Sequence, residues 1–367
     1  MFTEFLRTSI PGRAVTGGLV SVNLVNLRDF GRGNYRQLDD YAFGSGGMVL
    51  AAPQMKDALD YLSREPGKTG KKPFVVYPSP QGVLISQEII ETLALQEDVA
   101  IICGHYEGID ERFVSSYVDL EVSIGDCVLT GGEIPAMLIV DAMSRLVPGV
   151  VGKGKAVIED SFYRGMLDNP NYTRPYEWEG LKVPEVLTGG NEHDISRWRR
   201  REAIRRTLTR RPDLVSRASV REYISGVNVA VIAESENVDF AGLSETCNAY
   251  GAGRPYIVAG NRELREVMKS KIPSAKIVGS VGKILDTLGE GTMIVKAASS
   301  ARRNALHSLE AKRMCLEHDG GVLFVFAESD EALDEVDGIE AYVFTDGNDV
   351  AMGVRIGIAL DRFLGKR

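Results

Sequence analysis

Two stretches of this chain alternate short apolar runs with helix-like segments, and the alternation stops between them. Short apolar runs bounded by Gly or Pro turns suit strands buried on both faces, because a parallel sheet covered by helices has no wet side. In the first stretch FVVYPS (Phe74–Ser79) and VAIICG (Val99–Gly104) are such runs. QEIIETLALQ and PAMLIVDAMSRLV read as helices around them. The second stretch restarts near Gly226. VNVAVIAE (Val227–Glu234), RPYIVAG (Arg254–Gly260), TMIVKAA (Thr292–Ala298), GVLFVFAE (Gly321–Glu328) and AYVFTD (Ala341–Asp346) read as strands, with NRELREVMKSK and VRIGIALDRFLGK as helices. Between the stretches VGKGKAVIEDSFYRGMLDNPN mixes glycines, charges and turn residues, and reads as a mobile connection. The expected fold class is α/β, divided as 1–152, a connection at 153–170, a helical part at 171–225, and a second α/β domain at 226–367. The two α/β parts share no obvious motif, so no repeat is read.

Composition excludes several classes. At 44% hydrophobic and 26% charged residues, the chain has the make-up of an ordinary globular protein. No apolar run reaches membrane-spanning length and no charged-then-apolar leader precedes a small-residue site, so a cytoplasmic location is expected. Cys103, Cys127, Cys247 and Cys315 form no CxxC, and the four histidines show no HExxH spacing. A disulfide framework or a zinc site is therefore not expected.

The net charge of −8 argues against a general polyanion binder, but its distribution points the other way. Between Ile195 and Glu222, ten arginines (Arg197, Arg199, Arg200, Arg201, Arg205, Arg206, Arg210, Arg211, Arg217 and Arg221) face only Glu202, Asp213 and Glu222. No lysine is among them, and Arg suits bidentate phosphate contacts. This is the footprint of nucleic-acid contact, against a solvated helix face as the plain reading. Asn191 fits a helix N-cap there, with Asp194 in the first turn and Ile195, Trp198, Ile204 and Leu208 able to share a face.

Two glycine motifs fail. PGKTGKK (Pro66–Lys72) has Leu62 where a P-loop needs its first glycine, and GSGG (Gly44–Gly47) lacks dinucleotide spacing. What remains is three loops: YPSPQG (Tyr77–Gly82), GHYEGIDERF (Gly104–Phe113) and SIGDCVLTGGEIPAM (Ser123–Met137). Glycine permits close approach and positive φ. Together the loops could line a pocket of backbone donors and carbonyls suited to an adenosine-like ligand. Each loop alone would pass as a tight turn.

These residues, with VPGVVG, EDSF, LDNPNYTRP, VPEVLTGGN and the RWR run, resemble the bacterial tRNA (guanine-N1)-methyltransferase family of TrmD type, from about Phe2 to Arg221. The resemblance implies a SPOUT-class domain tied in a trefoil knot, a rare exception to unthreaded chains, followed by a helical tRNA-binding part. It implies methylation of N1 of the guanosine 3′ of the anticodon, position 37, with S-adenosylmethionine as cofactor. By position, Tyr77, Ser79, Pro80, Gly104, Tyr106, Glu107, Ile124, Gly125, Leu129, Gly131, Gly132 and Pro135 match the cofactor pocket. Asp160 matches the general base and Arg145 the residue that stabilises charge on guanine O6. Arg197, Arg199, Arg200, Arg205, Arg206 and Arg210 are the implied tRNA contacts. A homodimer with the site between subunits is implied, as is Mg²⁺, with Glu107 as its contact.

The chain departs from that pattern in places. It begins MFTEF where the family has a strand ending in LFPEMF, so that strand is expected to be missing. AFGSGGM replaces PYGGGxGM, His105 stands where Arg is common, and Cys127 where Tyr is common. The part from Val227 is similar to another SPOUT-class RNA methyltransferase in VAVIAE and VRIGIALDRFLG. Its cofactor-loop position reads FAESDEALDEV, acidic and glycine-free, which leaves an additional methyltransferase and a structural module both open. For the whole chain, the competing reading is a non-catalytic RNA-binding protein that has kept the fold.

Overall fold

The computed structural model describes residues 1–44, 46–64, 72–151, 160–162, 165–216, 218–289, 291–298, 305–342 and 351–365. PGKTGKK lies outside these residues except for Lys72, as do Ser45, Arg217 and much of the 153–170 connection. The chain forms two compact units, Met1–Glu159 and Asp160–Arg367.

In the first unit, β1 (Asp39–Tyr41) and β2 (Met48–Leu50) make an antiparallel pair. β3 (Phe74–Leu84), β4 (Val99–Ile101) and β5 (Leu120–Ser123) form a parallel sheet in the order β4-β3-β5. Alternate residues of β3 face opposite ways. Val75 and Tyr77 join a core with Met55, Leu59 and Phe113, while Val76 joins another with Ile90, Leu93 and Ile139. β3 runs beyond the expected Ser79 because pairing with β5 resumes at Val83 after an irregularity at Pro78. Proline has no N–H to give the ladder, so the break falls there. Gly82 lets the strand return: a Cβ on it would stand 2.3 Å from Val122 N. The two expected helices form at Gln87–Ala94 and Glu133–Ser144, the first capped by Ser86, whose side chain accepts from Ile89 N.

In the second unit, β6 (Glu177–Trp178) and β7 (Leu181–Lys182) form a hairpin. A 19-residue helix, Glu192–Arg210, begins where Asn191 accepts from His193 N. Ile195 and Ile204 are buried on it, and Trp198 and Leu208 half-buried. Then come β8 (Val227–Ile232), β9 (Tyr256–Val258), β10 (Lys276–Val278), β11 (Met293–Ala298), β12 (Leu306–His307), β13 (Val322–Ala327) and β14 (Ile339–Tyr342). They form one parallel sheet in the order β10-β9-β8-β13-β11-β14-β12. Its larger core takes in Met166, Ile204, Val215, Ala218, Val220 and Ile224. The helical segment and the C-terminal sheet therefore share one core, tied further by Val220 N–H to Leu364 O (2.8 Å) and Lys312 Nζ to Ala218 O (2.8 Å).

Candidate functional site

The three glycine-bearing loops meet at the C-terminal end of the β4-β3-β5 sheet, where open α/β sheets place ligands. Gly104 lies on the Tyr77 ring, with an added Cβ 2.9 Å from it. Gly132 N–H donates to Gly104 O at 2.9 Å, and a Cβ on Gly132 would stand 2.7 Å from Cys103 Cα. His105 Nε2 meets Glu133 Oε1 at 2.6 Å, a second clamp between the same loops. Ser123 Oγ accepts from Gly125 N–H (3.2 Å) and donates to Gly125 O (3.1 Å), holding that glycine at φ +142°. Only glycine adopts this conformation without strain. Glu107 N–H donates to Met48 O, and the Glu107 stem packs on Gly47.

Burial, then the charge of Glu121, raises the Tyr77 phenol above its ordinary value. Ser79 Oγ accepts from Gln81 N–H in the bend at Pro80. Ile124 is half-buried and Pro135 is buried inside the first turns of its helix. Tyr106, with left-handed backbone (φ +60°), and Leu129 are exposed at the rim. Sequence reasoning did not pick out the His105–Glu133 clamp or the Gly47–Glu107 contact. Gly47 did stand out, but only as part of a failed dinucleotide motif.

Arg145 is half-buried at the C-cap of Glu133–Ser144, where a cation is favoured by the helix dipole. Asp160 belongs to the second unit and is exposed at its start. Next to it, Ser161 Oγ accepts from Asp168 N–H (2.9 Å), which orders the turn leading to Met166. Among the described residues no group of three or more His, Cys, Asp or Glu, around Glu107 or elsewhere, could hold a metal ion.

The arginines divide. Arg200 donates to Ser225 Oγ, Arg201 pairs with Asp319, Arg205 with Glu202, and Arg211 with Asp213. Arg221 is spent on the carbonyls of Tyr250 and Gly251. Arg197, Arg199 and Arg210 are exposed, while Arg206 is half-buried with its Nε shielded.

A different arrangement closes the C-terminal edge of the second sheet. Strand order reverses between β8 and β13, the switch point where ligands usually enter. There Glu328 accepts from Glu234 N (2.6 Å), Ser235 N (3.0 Å) and Ser235 Oγ (2.8 Å). Glu234 in return accepts from Ser329 N (2.9 Å) and Ser329 Oγ (2.7 Å).

Thiol chemistry reports on the first site. Burial pushes Cys103, Cys247 and Cys315 up to about 12, with Glu133 adding to the effect at Cys103, so all three are neutral at pH 8. Cys127 is exposed in the glycine loop. Native alkylation at pH 8 is expected to label Cys127 ahead of the other three. Mass mapping of the modified peptide checks this, and fast labelling of a buried thiol would contradict the assignment.

Glycine-bearing loops at the end of a parallel sheet, on a chain that also carries an arginine-rich helix, make this an α/β protein with a ligand-binding sheet edge. Residues 1–217 match the family described as tRNA (Guanine-1)-methyltransferase TrmD. Similar proteins named tRNA (guanine-N(1)-)-methyltransferase include one from Moorella thermoacetica, 51% identical over 60% of this chain and 88% of the relative. One from Pelotomaculum thermopropionicum is 43% identical over 66% and 96%, and one from Bacillus pumilus is 48% identical over 59% and 87%. The chain belongs to the tRNA (guanine-1)-methyltransferase TrmD family. Among the described residues no helix is long and apolar enough to cross a membrane.

Proposed function

We propose that this chain methylates N1 of the guanosine 3′ of the tRNA anticodon, position 37. The observation that carries the reading is the glycine-built cradle of Gly104, Gly125, Gly131 and Gly132 inside the region matched to the family. S-adenosylmethionine supplies the methyl group when bound. The cradle fits it. Gly125 is held open with nothing within 4 Å of an added Cβ, Gly131 and Gly132 let the loop pack closely on His105, Cys103 and Gly104, and Tyr106 and Leu129 offer apolar contact at the rim. A trefoil knot through these loops would hold the cofactor bent.

Guanine N1 carries a proton at neutral pH, so its lone pair is free only when a base takes that proton. Asp160 is the acceptor in this reading. Arg145 offsets the negative charge that develops on O6 as the proton leaves. The base must first leave its stack, while exposed Arg197, Arg199 and Arg210 grip phosphates. The site is completed in a homodimer, with Asp160 of one chain beside the partner subunit's cofactor. No step is routed through a metal, because the residues around Glu107 do not build a metal site.

The test is methyl-labelled cofactor with unmodified tRNA, followed by nucleoside mapping. Label on 1-methylguanosine next to the anticodon is the expected result. Label on another nucleoside would refute the reading, and tight tRNA binding without transfer would favour the non-catalytic alternative.

For the C-terminal sheet we propose a structural role in place of a second methyltransferase site. Its switch-point N–H donors are already taken by Glu234 and Glu328. Titration of the full chain with S-adenosylhomocysteine is expected to give one site per chain, and two sites would overturn the assignment. Glu328→Ala should leave that stoichiometry unchanged and cost about 1 kcal/mol or less of stability in denaturant titration, because the three donors it frees are exposed or half-buried and can turn to water.

A further inference from the structure

The β6–β7 hairpin carries an exposed apolar face that its own fold does not need. Glu179 (φ +51°) and Gly180 (φ +79°) form its two-residue turn, and two positive φ values are the mark of a type I′ turn. Trp178 stands opposite Leu181, and Glu177 opposite Lys182. Val183 N–H donates to Tyr176 O at 2.9 Å, which carries the pairing one residue further. Alternation along a strand therefore puts Tyr176, Trp178 and Leu181 on one face and the Glu177–Lys182 ion pair (3.7 Å) on the other. Tyr176 is 45% exposed, Trp178 63% and Leu181 72%. Just before the hairpin, Tyr172 packs its ring 6.1 Å from that of Trp198. This anchors the segment to the arginine-rich helix, where Arg197 and Arg199 flank Trp198 in sequence and are exposed.

We infer that this face is a stacking platform for an unpaired RNA base. The hairpin's own charges cancel, since Arg174 and Lys182 match Glu177 and Glu179, so it is not a phosphate clamp. What it offers is ring surface, and the adjoining helix supplies the cations. Aromatic faces beside arginines are the means by which single-stranded nucleic acid is held without base-edge readout. The occupant is thus a loop nucleotide of the RNA substrate outside the methylated base. The inference rests on the tRNA-methylating reading above.

The test uses the full-length chain with two RNAs of equal phosphate number, a stem-loop with unpaired loop bases and a blunt duplex. Trp178→Ala should weaken stem-loop binding by about 5- to 150-fold, the worth of one stacked base. It should leave duplex binding unchanged, and Trp178→Phe should retain most of the affinity. The chain has two tryptophans, so in a Trp198→Phe background the Trp178 emission should be quenched by the stem-loop and not by the duplex. Equal loss on both RNAs, or no loss on either, overturns the platform. A change in sedimenting mass with stem-loop affinity unchanged would assign the face to a second copy of the chain and also overturn it. If the unsubstituted chain bound neither RNA, the tRNA-methylating reading itself would fall, and that result is distinct from the others.

Discussion

Asp160→Ala is expected to reduce methyl transfer by about 10²–10⁴-fold, the usual cost of losing a general base. S-adenosylhomocysteine affinity should stay within a few-fold of the unsubstituted protein. The separation follows from where the groups sit. The glycine cradle is built wholly from residues of the first unit, and Asp160 belongs to the second. Asp160 thus takes no part in building the cradle, and in the proposed reading its carboxylate acts on the guanine. Asp160→Asn keeps the size and hydrogen-bonding capacity but cannot accept the proton, and should be nearly as slow. Single-turnover kinetics with calorimetry on the same samples would check this. Turnover within a few-fold of normal would remove Asp160 from the role, and parallel loss of cofactor affinity would make it structural.

The second large effect is the salt dependence of tRNA binding. Each phosphate neutralised contributes about 0.7–0.9 to the slope of log affinity against log salt. Arg201, Arg205 and Arg211 are already paired with carboxylates, so Arg197, Arg199 and Arg210 should carry most of the term. Replacing these three with glutamine is expected to flatten the slope by about 2 to 3 and to weaken all tRNAs alike, because phosphates carry no sequence information. Filter binding across a salt series reads both quantities. An unchanged slope would reduce the arginines to a solvated face.

The strands of the second stretch were legible because most of their residues are apolar, as a sheet covered on both faces requires, with Lys296 in β11 and Glu340 in β14 as a paired charged exception; β14 begins two residues before the expected Ala341. β5 was missed because LEVS places Glu121 amid short apolar context, and β10 and β12 are too short for any period to register. The helix Glu192–Arg210 was legible from its cap, since Asn191 accepts within two residues of itself. The arginines looked alike in sequence, and only their neighbours separate them. Arg201 is spent on Asp319 and Arg221 on the Tyr250 and Gly251 carbonyls, residues far along the chain.

The sequence by itself determined the alternating α/β pattern, the glycine loops, the capped arginine helix and the family. These are properties of residue type at short spacing, where backbone freedom, burial and charge act locally. Tertiary structure alone decided what the loops touch and how the C-terminal sheet is closed. Gly132 is required because it lies on Cys103 and Gly104, nearly thirty residues earlier. Glu234 and Glu328 grip each other's strand ends across 94 residues of chain. A carboxylate in an acidic turn carries no local sign of its partner. Only parallel pairing of β8 with β13 brings the two strand ends together, and each finds its donors in the other's backbone.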